Sequence, residues 1–321
     1  MVDRSLVIYA ARRNPTPEPL FRLYGQLAGV QVTHTIDSVA PIGARLEAER
    51  DAPRADIVIT KTRFDMEVLR RKGILAPHCP APAAALAEWL HDPAWSWCGF
   101  SGWPRLAIVN RTQLPDSAAW PMRIEDFTEP RFRGQFACAS ILERTTRAQF
   151  AALAAVKGIP AMQDLLRRLM ANGMIVRTGN TGLRKEMMAT PFAAALASAS
   201  NVHVFRLQGN AVDMAWLDQG PGDMGTHVEA HTAALVADAP HADEGRRFLD
   251  WLVGAEAQGF LAQLYGETPV NPAAPHFDVR PLAAIHRIAA PVDEGSAIMD
   301  AVVAVLREGG LANPEDADQA A

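Results

Sequence analysis

Arginines and small hydroxyl residues recur in this chain where short apolar runs end. Arg12 and Arg13 follow the run Leu6–Tyr9, and Thr60-Lys61-Thr62-Arg63 follows Asp56–Ile59. Ser101 stands between two further apolar runs, and Ser140 follows Gln135–Ala139. Arg144-Thr145-Thr146-Arg147 opens one helical stretch, and Arg177-Thr178-Gly179-Asn180-Thr181-Gly182 leads into another. A guanidinium grips an oxyanion through paired N–H donors. A helix N-terminus adds free backbone N–H groups and the positive end of a dipole. Each charge-assisted hydrogen bond is worth roughly 1.5–3 kcal/mol. Such a set would clamp a phosphate, phosphonate or carboxylate. Thr145, Thr146, Asn180 and Thr181 can equally serve as helix caps. Only four of the 31 basic residues are lysine, so arginine is the expected cation of any such site.

The elements that must position these groups alternate early in the chain. Leu6–Tyr9, Val30–Thr35 and Ala55–Thr60 read as strands, and Pro17–Leu27, Pro41–Arg50 and Asp65–Arg71 as helices. Repeated strand–helix–strand units predict a mainly parallel sheet, whose ligands sit beyond the carboxyl ends of the strands. Trp95–Phe100 and Arg105–Asn110 read as two strands around Ser101-Gly-Trp-Pro104, and Gln135–Ala139 as another. Thr145–Val156, Ala161–Ala171 and Asn180–Met188 have helical spacing; Phe192–Leu196 and His203–Leu207 read as strands. After a Gly- and Asp-rich loop at 218–225 come a strand at Thr232–Ala237 and helices at Ala242–Val253, Ala255–Leu264 and Ser296–Arg307. The acidic tail from Pro314 is expected to be loose.

A length of 321 residues predicts two domains. Hydrophobic residues make up 49% and charged residues 21% of the chain, the balance of a soluble globular protein. A net charge of -5 argues against a nucleic-acid partner. The three cysteines, Cys79, Cys98 and Cys138, form no CxxC and no Cys/His cluster, so no structural zinc is expected. Cys98 and Cys138 could bridge in an oxidising compartment, but free, buried cysteines are the expectation. His34, His78, His91 and His203 show no metal spacing. No Gly-x-Ser-x-Gly, Walker loop or dinucleotide Gly-x-Gly-x-x-Gly is present, and no enzyme or cofactor is expected. The first residues lack the basic and apolar pattern of a secretory signal. That leaves a periplasmic protein whose signal has been removed, or a cytoplasmic one.

Several stretches together resemble the type 2 periplasmic solute-binding proteins, extracellular solute-binding protein family 1, in particular the ferric-ion-binding branch. They are the opening LVIYAARR at 6–13; ADIVITK at 55–61 with Leu69 and GILAP at 73–77; and the hinge-like strand Arg105–Asn110. Trp120-Pro121, Asp126-Phe127 and PRFRG at 130–134 follow. The best match is APHADEGRRFLDWL at 239–252, with Glu256, Gln258 and PVNP at 269–272. The resemblance implies an α/β fold of two lobes joined by a hinge of two crossover strands, residues 1–101 and 231–321 forming lobe 1 and 102–230 lobe 2. It also implies a monomeric solute-binding component of an ABC-type importer, with a small-molecule ligand and the transporter's membrane subunits as partners.

The chain departs from that branch at the ligand. Ferric-binding members hold iron largely with tyrosinates, and the nearest counterpart of their tyrosine pair, Ser198-Ala-Ser-Asn201, contains none. Only Tyr9, Tyr24 and Tyr265 exist in the chain. Ferric iron wants anionic oxygen donors, so the expectation moves to an anionic ligand. Arg12, Arg13, Lys61, Arg63, Ser101, Ser140, Arg144, Thr145, Thr146, Asn180, Thr181, Ser198 and Asn201 are the candidate contacts. Asp218 and Gln219 resemble a "DQ" that recurs in the branch and join them. Iron held by non-tyrosine ligands and a cytoplasmic ligand sensor of the same fold are the alternatives. If the arginines are solvated, replacing Arg12 or Arg144 should weaken the ligand and leave the empty fold's stability nearly unchanged.

Overall fold

The computed structural model describes residues 4–12, 16–140, 143–177, 179–189, 192–289 and 296–308. The chain divides into two compact units, Met1–Trp103 with Glu229–Ala283 and Pro104–Val228 with Ala284–Ala321.

The first unit opens with β1 (Ser5–Ala11), α1 (Glu18–Ala28), β2 (Gln31–Ile36), α2 (Val39–Ala48), β3 (Ile57–Thr60), α3 (Arg63–Arg71) and the short β4 (Leu75–Ala76). β1 lies parallel to both β2 and β3, with Tyr9 opposite Thr35 on one side and Val58 on the other. A central parallel strand is covered on both faces, which is why β1 and β3 read as unbroken apolar runs. Gly29 closes α1 at φ 64, the left-handed cap that costs glycine no Cβ clash. The Thr62 hydroxyl accepts from Asp65 N at 3.1 Å and starts α3 directly behind β3. That cap holds Thr60–Arg63 at the carboxyl edge of the sheet.

The chain leaves through β5 (Cys98–Asn110), passing between units at Trp103 and Pro104. The second unit adds β6 (Phe136–Ala139), α4 (Arg144–Lys157), α5 (Ile159–Ala171), β7 (Ile175–Arg177), α6 (Asn180–Ala189), β8 (Ala194–Ser198), α7 (Ala199–Leu207) and β9 (Val212–Ala215). Here β6 runs parallel to β7 and β8, while β5 is antiparallel to β8 and β9. The chain returns through β10 (Val228–Val236), which pairs antiparallel with β3 and β4. Then come α8 (Ala242–Val253) and α9 (Ala255–Tyr265) in the first unit, and α10 (Ser296–Glu308) in the second. Each unit has its own cores. One holds Leu6, Ile8, Phe21, Phe248 and Leu261; another holds Phe127, Phe136, Phe150 and Leu166.

Three expectations need correction. The two strands expected around Ser101–Pro104 are one strand, buried at every position; Pro104's fixed φ suits extended backbone and does not break it. His203–Leu207 is the end of helix α7. Its start is set by Ser198, whose N–H and hydroxyl both donate to Asn201 Oδ1, at 3.3 and 2.7 Å. That local cap outweighs the strand-like Val204-Phe205 pair of the segment. Residues from Ala284 belong with the second unit, because Val302 and Val305 of α10 complete the core built by α4 and α5. Cys98 and Cys138, the one pair that could have bridged, are free thiols, each buried in a different unit; burial pushes both up to about 12. The tail from Pro314 lies outside the described residues.

Candidate functional site

In the first unit the expected residues converge on a buried carboxylate. Arg12, directly after β1, is fully buried and forms an ion pair with Glu267. Ser101 donates its hydroxyl to the other oxygen of the same carboxylate. Burial pushes the Glu267 carboxyl up, and Arg12 and Ser101 pull it back. His231 on β10 sits 3.6 Å from Glu267 and is held well below its usual range by burial, then by Arg12 and Lys61. Lys61 is partly buried, and its carbonyl accepts from Trp103 Nε1 at 3.1 Å. Arg63 is buried against Glu229 through Nε at 2.6 Å and lies 4.8 Å over the Trp89 ring. Arg12 and Arg63 are therefore bonded to carboxylates of their own unit and are not solvated cations. Arg13 lies outside the described residues.

The state of His231 has a measurable consequence. Its folded-state pKa is depressed, so below about pH 6.5 the unfolded chain binds a proton that the folded chain refuses. The contribution is present at neutral pH and is lost as pH falls through 6.5. Between pH 7.5 and 5.5 this loss is on the order of 1 kcal/mol. Asp218, buried and pushed up to about 7, drives the opposite slope, so the comparison must be between wild type and His231→Gln. Urea midpoints at the two pH values should show a smaller acid loss in the variant. Equal losses in both proteins would refute this assignment.

The second unit places a different set at the start of α4. Thr145 and Thr146 are its second and third residues, and both are buried. Glu143 caps the helix, its Oε2 accepting from Thr145 N at 3.3 Å. Ser140 is buried at the end of β6, with its N–H donating to Arg177 O. Arg144 is partly buried in the first turn. Behind that turn lies Arg105 of β5, 1% exposed. Its Nε donates to Gln149 Oε1 at 3.1 Å and its Nη2 to the Thr146 hydroxyl at 3.3 Å. Its Nη1 is buried with no hydrogen-bond partner among the described residues. Burial pushes this guanidinium down to about 10, and Glu143 is the leading charge that opposes the shift.

Other expected contacts have structural duties. Ser198 and Asn201 are spent on the α7 cap. Asp218 accepts from Ile124 N at 3.3 Å, in a left-handed backbone with φ 57. Gln219 donates to the Thr226 hydroxyl at 2.9 Å and to His286 O at 2.8 Å, and accepts from His286 N at 3.0 Å. It staples the 218–226 loop to the segment before α10. Thr178 and the side chains of Asn180 and Thr181 lie outside the described residues.

All three tyrosine hydroxyls are engaged within the first unit. Tyr9 donates to Glu49 at 2.9 Å, Tyr24 to Glu244 at 2.5 Å and Tyr265 to Thr16 O at 2.6 Å. Burial raises all three, Tyr9 to about 12. Among the described residues no cluster of three or more His, Cys, Asp or Glu is placed to hold a metal ion. A cavity of about 490 Å³ in the first unit is lined by Glu49, Arg50, Arg54, Lys72 and Asp238, at the end of β3 opposite Thr60. Three of its charges are already engaged: Arg50 donates to Lys72 O, Lys72 pairs with Glu47, and Glu49 pairs with Arg45.

Reading the sequence missed Arg105, Glu143, Gln149, Glu229, His231 and Glu267 as parts of these clusters. Charged residues inside apolar runs, as in WPRLAIV at 103–109 and HVEAHTAALV at 227–236, were the available signal. A charge is rarely placed in a buried strand without a partner or a task.

Residues 52–289 match the bacterial extracellular solute-binding proteins, and the chain belongs to that family. A probable ABC transporter periplasmic-binding protein, y4fP of Sinorhizobium fredii, is 25% identical over 72% of this chain and 64% of its own length. Iron-bound HitA of Pseudomonas aeruginosa is similar in structure, with a TM-score of 0.80 at 21% identity, covering 96% of this chain and all of that one. AfuA of Actinobacillus pleuropneumoniae, solved with fructose-6-phosphate, has a TM-score of 0.74 at 19% identity, covering 96% of this chain and 99% of its own. The fold is thus the two-lobe, type II periplasmic-binding-protein fold with crossover strands.

Proposed function

We propose that this protein is the solute-binding component of an ABC-type importer, working in the periplasm as a monomer beside the transporter's membrane subunits. Its ligand on this reading is a small anion carrying a phosphonate, phosphate ester or carboxylate, and the protein performs no catalysis. The carrying observation is Arg105: a buried guanidinium, bonded among the described residues only to neutral groups, against the first turn of α4. An anion binding there would gain both the charge and the helix end. The likeness to the AfuA structure with bound fructose-6-phosphate supports the same class of ligand.

A thermal-shift screen over phosphonates, phosphate esters, dicarboxylates, ferric chelates, and cationic and neutral solutes tests this reading. A ligand at 100 times its dissociation constant adds roughly 2.7 kcal/mol to the native state. Shifts confined to cationic or neutral compounds would reject it. Iron is the competing reading, favoured by the likeness to iron-bound HitA. Against it stand three tyrosines that are each hydrogen-bonded and raised in pKa. Adding ferric citrate should give no visible phenolate-to-iron absorption. A strong band would move the assignment to iron.

A further inference from the structure

The start of α4 already holds a carboxylate. Glu143 turns its side chain onto its own helix end, where Oε2 accepts from Thr145 N at 3.3 Å and faces the Thr145 hydroxyl at 3.5 Å. The same carboxylate is the leading charge that stabilises the buried Arg105 cation. Among the described residues Arg105 makes only neutral hydrogen bonds, and its Nη1 makes none. A helix N-terminus and a guanidinium with an open donor are what an oxyanion site requires. Here both are balanced by a carboxylate of the chain itself.

We infer that Glu143 is an internal stand-in for the ligand's oxyanion: it occupies the α4 N-terminus in the empty protein and must be displaced when an external oxyanion binds to Thr145 N–H and Arg105. This rests on the anion-binding reading above and adds a device to it. The protein is self-neutralised when empty, and its affinity is set by competition between two anions for one helix end. Weakly held anions do not displace the carboxylate; a tetrahedral dianion, with more charge and more acceptor oxygens, does. Glu143 thereby sets a threshold that excludes poorly charged solutes.

The test is calorimetric titration of inorganic phosphate into wild type, Glu143→Gln and Glu143→Ala. Removing the competing charge should tighten phosphate by about tenfold or more in both variants. If Glu143 were only a helix cap, the alanine variant would melt earlier and phosphate affinity would not move, which overturns the inference. Unchanged or weaker phosphate binding in both variants overturns it too, as does no binding in any of the three proteins. The screen above separates the two ideas. Anionic ligands found for wild type without tightening in the variants defeat only the stand-in. Tightening in the variants alongside a cationic or neutral ligand defeats only the proposed function.

Discussion

Glu267→Gln should lower the unfolding free energy of the empty protein by about 3–5 kcal/mol. The carboxylate is 2% exposed and its partner Arg12 is 0% exposed, so the glutamine variant leaves a guanidinium charge in a dry interior. Ser101 loses its acceptor's charge in the same step, and His231 loses the nearest anion. Arg12→Met should cost a similar amount by stranding the carboxylate. The double variant Arg12→Met/Glu267→Leu should recover much of the loss, because a buried pair replaced by apolar groups of like size is often close to neutral. Urea unfolding with a probe in the first unit measures all three. A loss below about 1 kcal/mol in either single variant would show that water reaches the pair. This outcome reverses what the sequence suggested. An arginine after the first strand reads as a solvated cleft residue whose removal spares the empty fold; here it is a structural ion pair.

Arg105→Met should act in the opposite direction on stability. The guanidinium is fully desolvated, held down to about 10, and bonded to no carboxylate among the described residues. A folded-state pKa below the unfolded value means that charge is a cost to the fold at neutral pH. Methionine fills similar volume without the charge, so the empty protein should gain about 1–3 kcal/mol. If the α4 end is the anion site, the same variant should lose affinity for the anions found in the screen, by roughly 30- to 1000-fold. Gained stability together with lost binding is the signature of a residue kept for a ligand. A destabilised Arg105→Met, or one with unaltered affinity, would return Arg105 to a purely structural role.

Much of the architecture was written in local pattern. The apolar runs at Leu6–Tyr9 and Asp56–Ile59, with helical spacing between them, are β1, β3 and their helices. Ala242–Val253 is a helix over the residues its spacing indicates. Periodicity and caps are local, so they survive in the one-dimensional chain. Where local signals conflict, they mislead. HVFRL at 203–207 favours a strand by composition, yet the Ser198–Asn201 cap commits it to α7. Nothing local tells α10 which unit to join; Val302 and Val305 find their place only when α4 and α5 present an apolar face.

The sequence by itself determined which chemistry was available: many arginines, almost no lysine, and no tyrosine in the Ser198–Asn201 segment. Tertiary structure alone decided which of those arginines are already paired. Arg12 meets Glu267 from 255 residues away, and Arg63 meets Glu229 across 166. Arg105 meets no carboxylate at hydrogen-bonding distance in the described structure and rests on Thr146 and Gln149 instead. A charge's role depends on its desolvation and its nearest counter-charge. Both are set by contacts between segments far apart in the chain, so neither can be read from a residue and its neighbours.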